Sequence, residues 1–100
     1  MATYISTIKF TPQGVKSIDQ TTKRAASVKA TAKKLGVKVT DIFWTLGEYD
    51  GLLIFDAPDE VAATTMLFNL GAMGNVQTST MRAFRTNEVE QMLANVQGGQ

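Results

Sequence analysis

The chain has 100 residues, 44% of them hydrophobic and 19% charged, a composition that suits one small folded domain over residues 1–100. Ten basic and nine acidic residues leave a formal net charge of +1, too balanced for the basic footprint of a nucleic-acid binder or a membrane-surface protein. Cysteine and histidine are both missing, which excludes disulfides, thiol nucleophiles, conventional zinc sites, haem held by His or Cys, and Ser-His-Asp chemistry.

Any chemistry must therefore come from carboxylates, Lys, Tyr, Ser/Thr or backbone groups, and neither a metal nor a cofactor is expected. The opening Met1-Ala2-Thr3-Tyr4 has no basic or apolar stretch of the signal-peptide kind. No apolar run reaches the length of a membrane span, so a cytoplasmic location is expected. The glycine-rich end Gln97-Gly98-Gly99-Gln100 is where disorder is expected.

Tyr4 to Phe10 alternates and is rich in aromatic and β-branched residues, which predicts a strand. Thr11-Pro12-Gln13-Gly14 breaks it, and a short turn through Val15 and Ile18 leads to a helix capped by Thr21 or Thr22. Ile18, Thr22, Ala25, Val28 or Lys29, Ala32 and Leu35 fall on one face, and Gly36 stands where a glycine C-cap belongs. Strands follow at Val37–Leu46 and Tyr49–Asp56, with Gly47 and Glu48 as a tight hairpin between them. Pro58, Asp59 and Glu60 suit the first turn of a second helix carrying Ala62, Met66 and Leu70 and ending at Gly71. Val76–Arg85 reads as a fourth strand. Asn87-Glu88-Val89-Glu90 resembles a capping box before the amphipathic set Val89, Met92, Leu93 and Val96. The order is the α+β, ferredoxin-like βαββαβ arrangement: an antiparallel sheet with helices on one face, plus a C-terminal helix.

Such a sheet should be polar on its uncovered face. Here the second strand sets Phe43 against Ile42, Trp44 and Leu46, and the third sets Leu53 and Phe55 against Leu52 and Ile54. Two helices can cover only one set. The other would leave a contiguous apolar patch in water, which a two-fold homodimer would bury. The alternative is that the C-terminal helix folds back over the open face.

At Gly47-Glu48-Tyr49-Asp50-Gly51 the chain resembles the GYD domain family, named for its Gly-x-Tyr-Asp signature. The likeness extends through Tyr4-Ile5-Ser6, Lys9-Phe10-Thr11, Gly14-Val15-Lys16, Lys23-Arg24-Ala25, Leu35-Gly36-Val37, Trp44-Thr45-Leu46, Leu70 to Val76 and Arg82-Ala83-Phe84. The resemblance implies a ferredoxin-like fold related to the dimeric α+β barrel proteins, and no established activity. In that wider group some members are cofactor-free monooxygenases, isomerases or dehydratases and others bind haem, but carrying these over is analogy at the level of fold.

The site candidates are few. Glu48, Tyr49 and Asp50 cluster two acids and a phenol at a hairpin and are the candidate catalytic residues. The competing reading is that Gly47 and Asp50 shape the turn while Tyr49 packs, and adjacent strand residues face opposite sides. Trp44 could stack a flat ligand between two sheets, or anchor a core or interface. Arg82 shares a face with Thr78 and Thr80 and could hold a carboxylate, or pair with Asp41, Asp50 or Glu48. Trp44, Tyr49 and Arg82 are the candidate ligand-binding residues. Lys23 and Arg24 open a helix, an unfavourable place for cations, and read as a solvated face, the alternative being a structural or anion-binding role.

Gly71-Ala72-Met73-Gly74 has the spacing of a nucleic-acid-clamping loop but carries no basic residue, and reads as a cap and chain reversal. Leu52-Leu53-Ile54-Phe55-Asp56 lacks the basic-aromatic pattern of an RNA-recognition strand, so no nucleic-acid partner is expected. The reading is a homodimer that binds, or binds and transforms, a small organic molecule without a metal. The alternative is a non-catalytic oligomerising or sensory module.

Overall fold

The computed structural model describes residues 1–96, so the expectation for Gln97–Gln100 lies outside the described residues. Strand β1 (Ala2–Phe10) leads through helix α1 (Pro12–Lys16) and a 3₁₀ turn (Ile18–Gln20) into α2 (Thr21–Lys34). Then come β2 (Lys38–Trp44), β3 (Gly51–Ala57), α3 (Glu60–Ala72), β4 (Val76–Ala83) and α4 (Thr86–Leu93). The sheet order is β2-β3-β1-β4 with every neighbouring pair antiparallel, the ferredoxin-like topology.

The register settles the two faces. Tyr4 opposes Phe55 and Arg82, Ser6 opposes Leu53 and Thr80, and Ile8 opposes Gly51 and Thr78. This is the face that α2 and α3 cover. Phe55, Leu53 and Ala57 meet Ala32 of α2 and Ala63, Met66 and Leu70 of α3 in the buried core, which Val37 closes at the start of β2. The alanines let both helices approach the sheet closely, and Tyr4 stacks on Phe55 at 5.4 Å between ring centroids. A bulge at Thr40 resets the alternation of β2, so Val39, Ile42 and Trp44 all share the helix-covered face.

Ile5, Phe43, Leu52, Ile54 and Met81 lie on the opposite face, which no helix among the described residues covers, with Phe43 50% and Met81 51% exposed. Helix α4 does not fold over them. It packs substantially against no other element, and the described chain stretches to 57 Å along its longest axis.

Helix ends show where local rules needed tertiary context. Gln20, not a threonine, is the N-cap of α2, and it makes no side-chain cap. Thr21 already lies inside the helix and accepts a hydrogen bond from the Trp44 indole Nε1 at 3.0 Å. The other end is a full Schellman motif: Val37 N–H donates to Ala32 O and Gly36 N–H to Lys33 O, with Gly36 at φ +74°. Asp59 caps α3 by accepting from Ala62 N–H at 2.8 Å, so Pro58 precedes the helix rather than opening it. The β2–β3 connection is wider than a two-residue turn and runs from Thr45 to Asp50. The capping interaction of α4 forms two residues upstream of Asn87, where Glu88 Oε1 accepts the Arg85 N–H at 3.0 Å.

Candidate functional site

The wide hairpin is tied down by its own side chains. Gly47 takes φ +123°, and the Thr45 hydroxyl donates to Tyr49 O at 2.6 Å across the loop. Asp50 then does the work of an absent strand residue. Its N–H donates to Ile8 O at 2.8 Å, and its Oδ2 accepts the Phe10 N–H at 2.8 Å. Phe10 lies beyond the reach of β3, which begins at Gly51 opposite Ile8, so the carboxylate completes the ladder where backbone runs out. Glu48 and Tyr49 are exposed, with Lys9 Nζ 5.7 Å from the centre of the Tyr49 ring.

Beside this hairpin a cavity of about 70 Å³ opens between the helix-covered face and α2. Ile8, Val28, Ile42, Leu53, Leu70 and Val76 supply its apolar wall, and Thr21, Arg24, Trp44 and Asp50 also line it. Arg24 is half-buried rather than solvated. Its guanidinium donates to Ser17 O at 2.7 Å, Ser17 Oγ at 3.0 Å and Gly14 O at 3.3 Å. Those carbonyls lie at the C-terminal end of α1, whose partial negative charge offsets the cost of a cation in the first turn of α2. Sequence spacing alone could not show this, because α1 and α2 meet only after the chain turns.

The three residues expected to bind ligand line three separate cavities. Trp44 is at the 70 Å³ cavity just described. It faces α2 rather than a second sheet. Arg82 lines a groove of about 300 Å³ at the β4 edge, with Tyr4, Glu60, Ala63, Thr64, Leu67 and Thr80. Tyr49 lines a third space of about 150 Å³ with Thr7, Lys9, Gln77, Thr78 and Ser79. Of the candidate catalytic residues, Asp50 shares a cavity with Trp44, and Tyr49 does not.

Arg82 is committed locally. It pairs with Glu88 at 3.1 Å, donates to Thr3 O and Ala83 O, and stacks over Phe84 at 4.4 Å. Its partner is thus on α4, not Asp41, Glu48 or Asp50. The Arg85 N–H first, and then Arg82, hold the Glu88 carboxyl below the usual carboxylate range.

The Gly71–Gly74 segment reverses the chain, with Gly74 at φ +79° and its N–H on Gly71 O. It is gripped from across the fold. Thr11 Oγ1 donates to Gly74 O at 2.6 Å, and Gln13 Nε2 donates to Met73 O and Asn75 Oδ1 at 3.0 Å each.

The sequence profile of the GYD domain matches residues 4–93. The chain belongs to the GYD domain family. Among curated proteins, no sequence matches this GYD domain significantly. In structure it is similar to TTHA0845 from Thermus thermophilus, with a TM-score of 0.56 and 18% identity over 86% of this chain and 96% of that one. At that identity the likeness concerns the fold alone.

Among the described residues, no three acidic side chains gather as a metal site would require. No described helix is long and apolar enough to cross a membrane.

Proposed function

We propose that this GYD domain is a cytoplasmic homodimer that binds a small, largely apolar organic molecule through the cavity between its sheet and α2. The observation that carries the reading is the cavity's composition: an apolar interior with a few polar groups, the usual make-up of a small-molecule site. A volume near 70 Å³ is about half that of an apolar cavity able to hold benzene, roughly 150 Å³. The fitting ligand therefore inserts a short alkyl or branched end and leaves its polar part at the mouth, near Trp44 and Arg24.

The dimer half of the reading rests on the open sheet face, where Ile5, Phe43, Leu52, Ile54 and Met81 form an apolar surface that water disfavours. Two such faces packed together would each remove apolar area at roughly 25 cal/mol per Å².

The second reading, a module without catalysis, is favoured by the hydrogen bonds that already engage two of the candidate site residues. Asp50 already accepts the Phe10 N–H, and Arg82 is engaged by Glu88 and by carbonyls. A group bound into the backbone ladder is poorly placed to shuttle a proton.

Native mass spectrometry of gently purified protein tests both halves. The expected result is a dimer carrying a reproducible adduct that disappears in Val28→Phe, which fills the cavity, while the dimer persists. A clean dimer with no adduct under every gentle condition moves the weight to the non-catalytic module. A monomer at all concentrations overturns the reading of the open face.

A further inference from the structure

The wall of the cavity between the sheet and α2 carries two charged side chains, Arg24 and Asp50. Asp50 is tied to the hairpin through the Phe10 N–H on its Oδ2. Arg24 has no acidic partner, since the ion pairs among the described residues are Arg82–Glu88 and Arg85–Asp56. A guanidinium has five N–H donors. The Arg24 Nη1 donates to Ser17 O and Ser17 Oγ, and Nη2 donates to Gly14 O. With one hydrogen to each bond, Nε–H and one Nη2 hydrogen are left, on the two nitrogens that a carboxylate engages together. Among the described residues no fully buried side-chain nitrogen or oxygen lacks a partner, so these two donors open to solvent at the half-buried Arg24. Thr21, three residues earlier on α2, lines the same cavity. Its hydroxyl oxygen accepts from the Trp44 Nε1, and its own hydrogen has no acceptor among the described residues.

We propose that the cavity takes a monocarboxylate with a short branched hydrocarbon chain, its carboxylate on Arg24 and Thr21 and its chain against Val28, Ile42 and Leu70. The proposal rests on the ligand-binding reading above and goes further by naming the charged group and the chain.

The size of the chain follows from the volume. The cavity of about 70 Å³ is half the roughly 150 Å³ that encloses benzene, which gives room for about three or four carbons. An isopropyl or isobutyl end suits the branched aliphatic wall. The charge follows from what stands open. An anion at Arg24 meets a cation in a half-buried place, where solvent screens the attraction less than in open water. Asp50 sets a limit, because a second carboxylate on the ligand would share a small mouth with its negative charge. An amine is the competing head group. Asp50 has already given one oxygen to the Phe10 N–H, whereas Arg24 and Thr21 together hold three open donors.

The test uses the full chain, labelled for nuclear magnetic resonance, and four probes that share one branched end: isovalerate, isovaleramide, isoamylamine and isobutylmalonate. Binding is read at neutral pH from the indole N–H of Trp44 and the backbone amides of Val28 and Ile42. Isovalerate should bind at least about 10-fold more tightly than isovaleramide, the factor that one charge-assisted hydrogen bond supplies. Isobutylmalonate should bind more weakly than isovalerate, and Val28→Phe should abolish the isovalerate shifts. Arg24→Gln should erase the difference between acid and amide. The comparison of probes on the wild type stands by itself if that variant fails to fold. Equal affinity of acid and amide, or tighter binding of isoamylamine, overturns the carboxylate while leaving the cavity a binding site. Isovalerate shifts that survive Val28→Phe place the probe elsewhere and overturn the proposal. Failure of every probe to move these signals overturns both the proposal and the reading beneath it.

Discussion

Replacing Asp50 separates a structural carboxylate from a catalytic one. In Asp50→Ala the Phe10 N–H loses the partner it donates to at 2.8 Å, at a half-buried position. A hydrogen bond to a charged group contributes about 1.5–3 kcal/mol, and partial solvent access brings the expected loss towards the lower end. For a domain of this size each kcal/mol corresponds to about 4–8 °C in melting temperature, so Asp50→Ala should melt about 6–12 °C lower. Asp50→Asn keeps an acceptor oxygen in the same place and loses only the charge assistance, which roughly doubles such a bond. It should therefore cost about half as much. Urea titration gives both values, provided the slope is unchanged between variants. Hydrogen exchange at the Phe10 amide reports the bond directly and should accelerate in Asp50→Ala and much less in Asp50→Asn. Equal stability of all three proteins, or unaltered exchange at Phe10, would refute the assignment. Should the domain prove to turn over a substrate, the graded pattern also discriminates. A general base is lost equally in Ala and Asn, whereas a ladder contact is not.

Gly14→Ala should be destabilising, because a Cβ there would clash with the backbone Asn75 O and one of the two segments must shift; a drop of about 1–3 kcal/mol in urea unfolding is expected from such overpacking. Thr21→Val removes the acceptor for the Trp44 indole. The fluorescence of the single tryptophan should change in emission maximum and in quenching by iodide, with a stability loss below about 1 kcal/mol for so exposed a contact. The fastening of α4 should respond to acid. Glu88 is held below the usual carboxylate range by the Arg85 N–H and then by Arg82, so it contributes stability that is fully present above the ordinary glutamate value of about 4.3. That contribution disappears as the pH falls through the lowered folded value. Amide protection factors in Thr86–Leu93, corrected for the intrinsic pH dependence of exchange, should fall in the wild type as the pH drops below the ordinary glutamate range, and Glu88→Gln should show the lower protection already at neutral pH.

The fold was legible because its signals are local and periodic. The alternation of Tyr4–Phe10, the glycine after Leu35 and the apolar spacing of Ala62, Met66 and Leu70 each specify an element with no knowledge of the rest. Strand alternation alone also set Phe43 against Ile42 and Trp44, and Leu52 and Ile54 against Leu53 and Phe55, but only the register joined Phe43 to Leu52 and Ile54 on one face. The misplaced helix starts were misread for one physical reason. A threonine, proline or asparagine near a helix start is equally suited to several cap positions, and tertiary contacts choose among them. Trp44 takes the Thr21 hydroxyl, Asp59 rather than Pro58 meets the Ala62 N–H, and Arg82 draws Glu88 back towards β4. The site was less legible still. Trp44, Tyr49 and Arg82 are chemically plausible neighbours in one dimension, but the register sends them to three different cavities, and Arg24 gained its role only through carbonyls of a helix seven to ten residues away.

The Gly-x-Tyr-Asp signature itself is best understood as a clamp. Each of its ordered positions serves the hairpin: Gly47 turns at positive φ, Tyr49 offers its carbonyl to Thr45, and Asp50 sews the loop to Ile8 and Phe10. Gly51 completes it, since a Cβ there would meet Phe43 O at 2.9 Å, and its bareness lets β2 and β3 close at the base of the loop. The clamp sets the end of β2, and with it the position of Trp44 at the cavity mouth. A signature of this kind can recur among proteins with different ligands, because it builds the wall of the cavity rather than its specificity. On the proposed ligand-binding reading, specificity should reside in Val28, Ile42, Leu70 and Val76, whose aliphatic side chains line the cavity and form no hydrogen bonds. Exchanging Ile42 for Val should change which adduct the domain retains, while Asp50→Asn should change its stability and leave the adduct's identity alone.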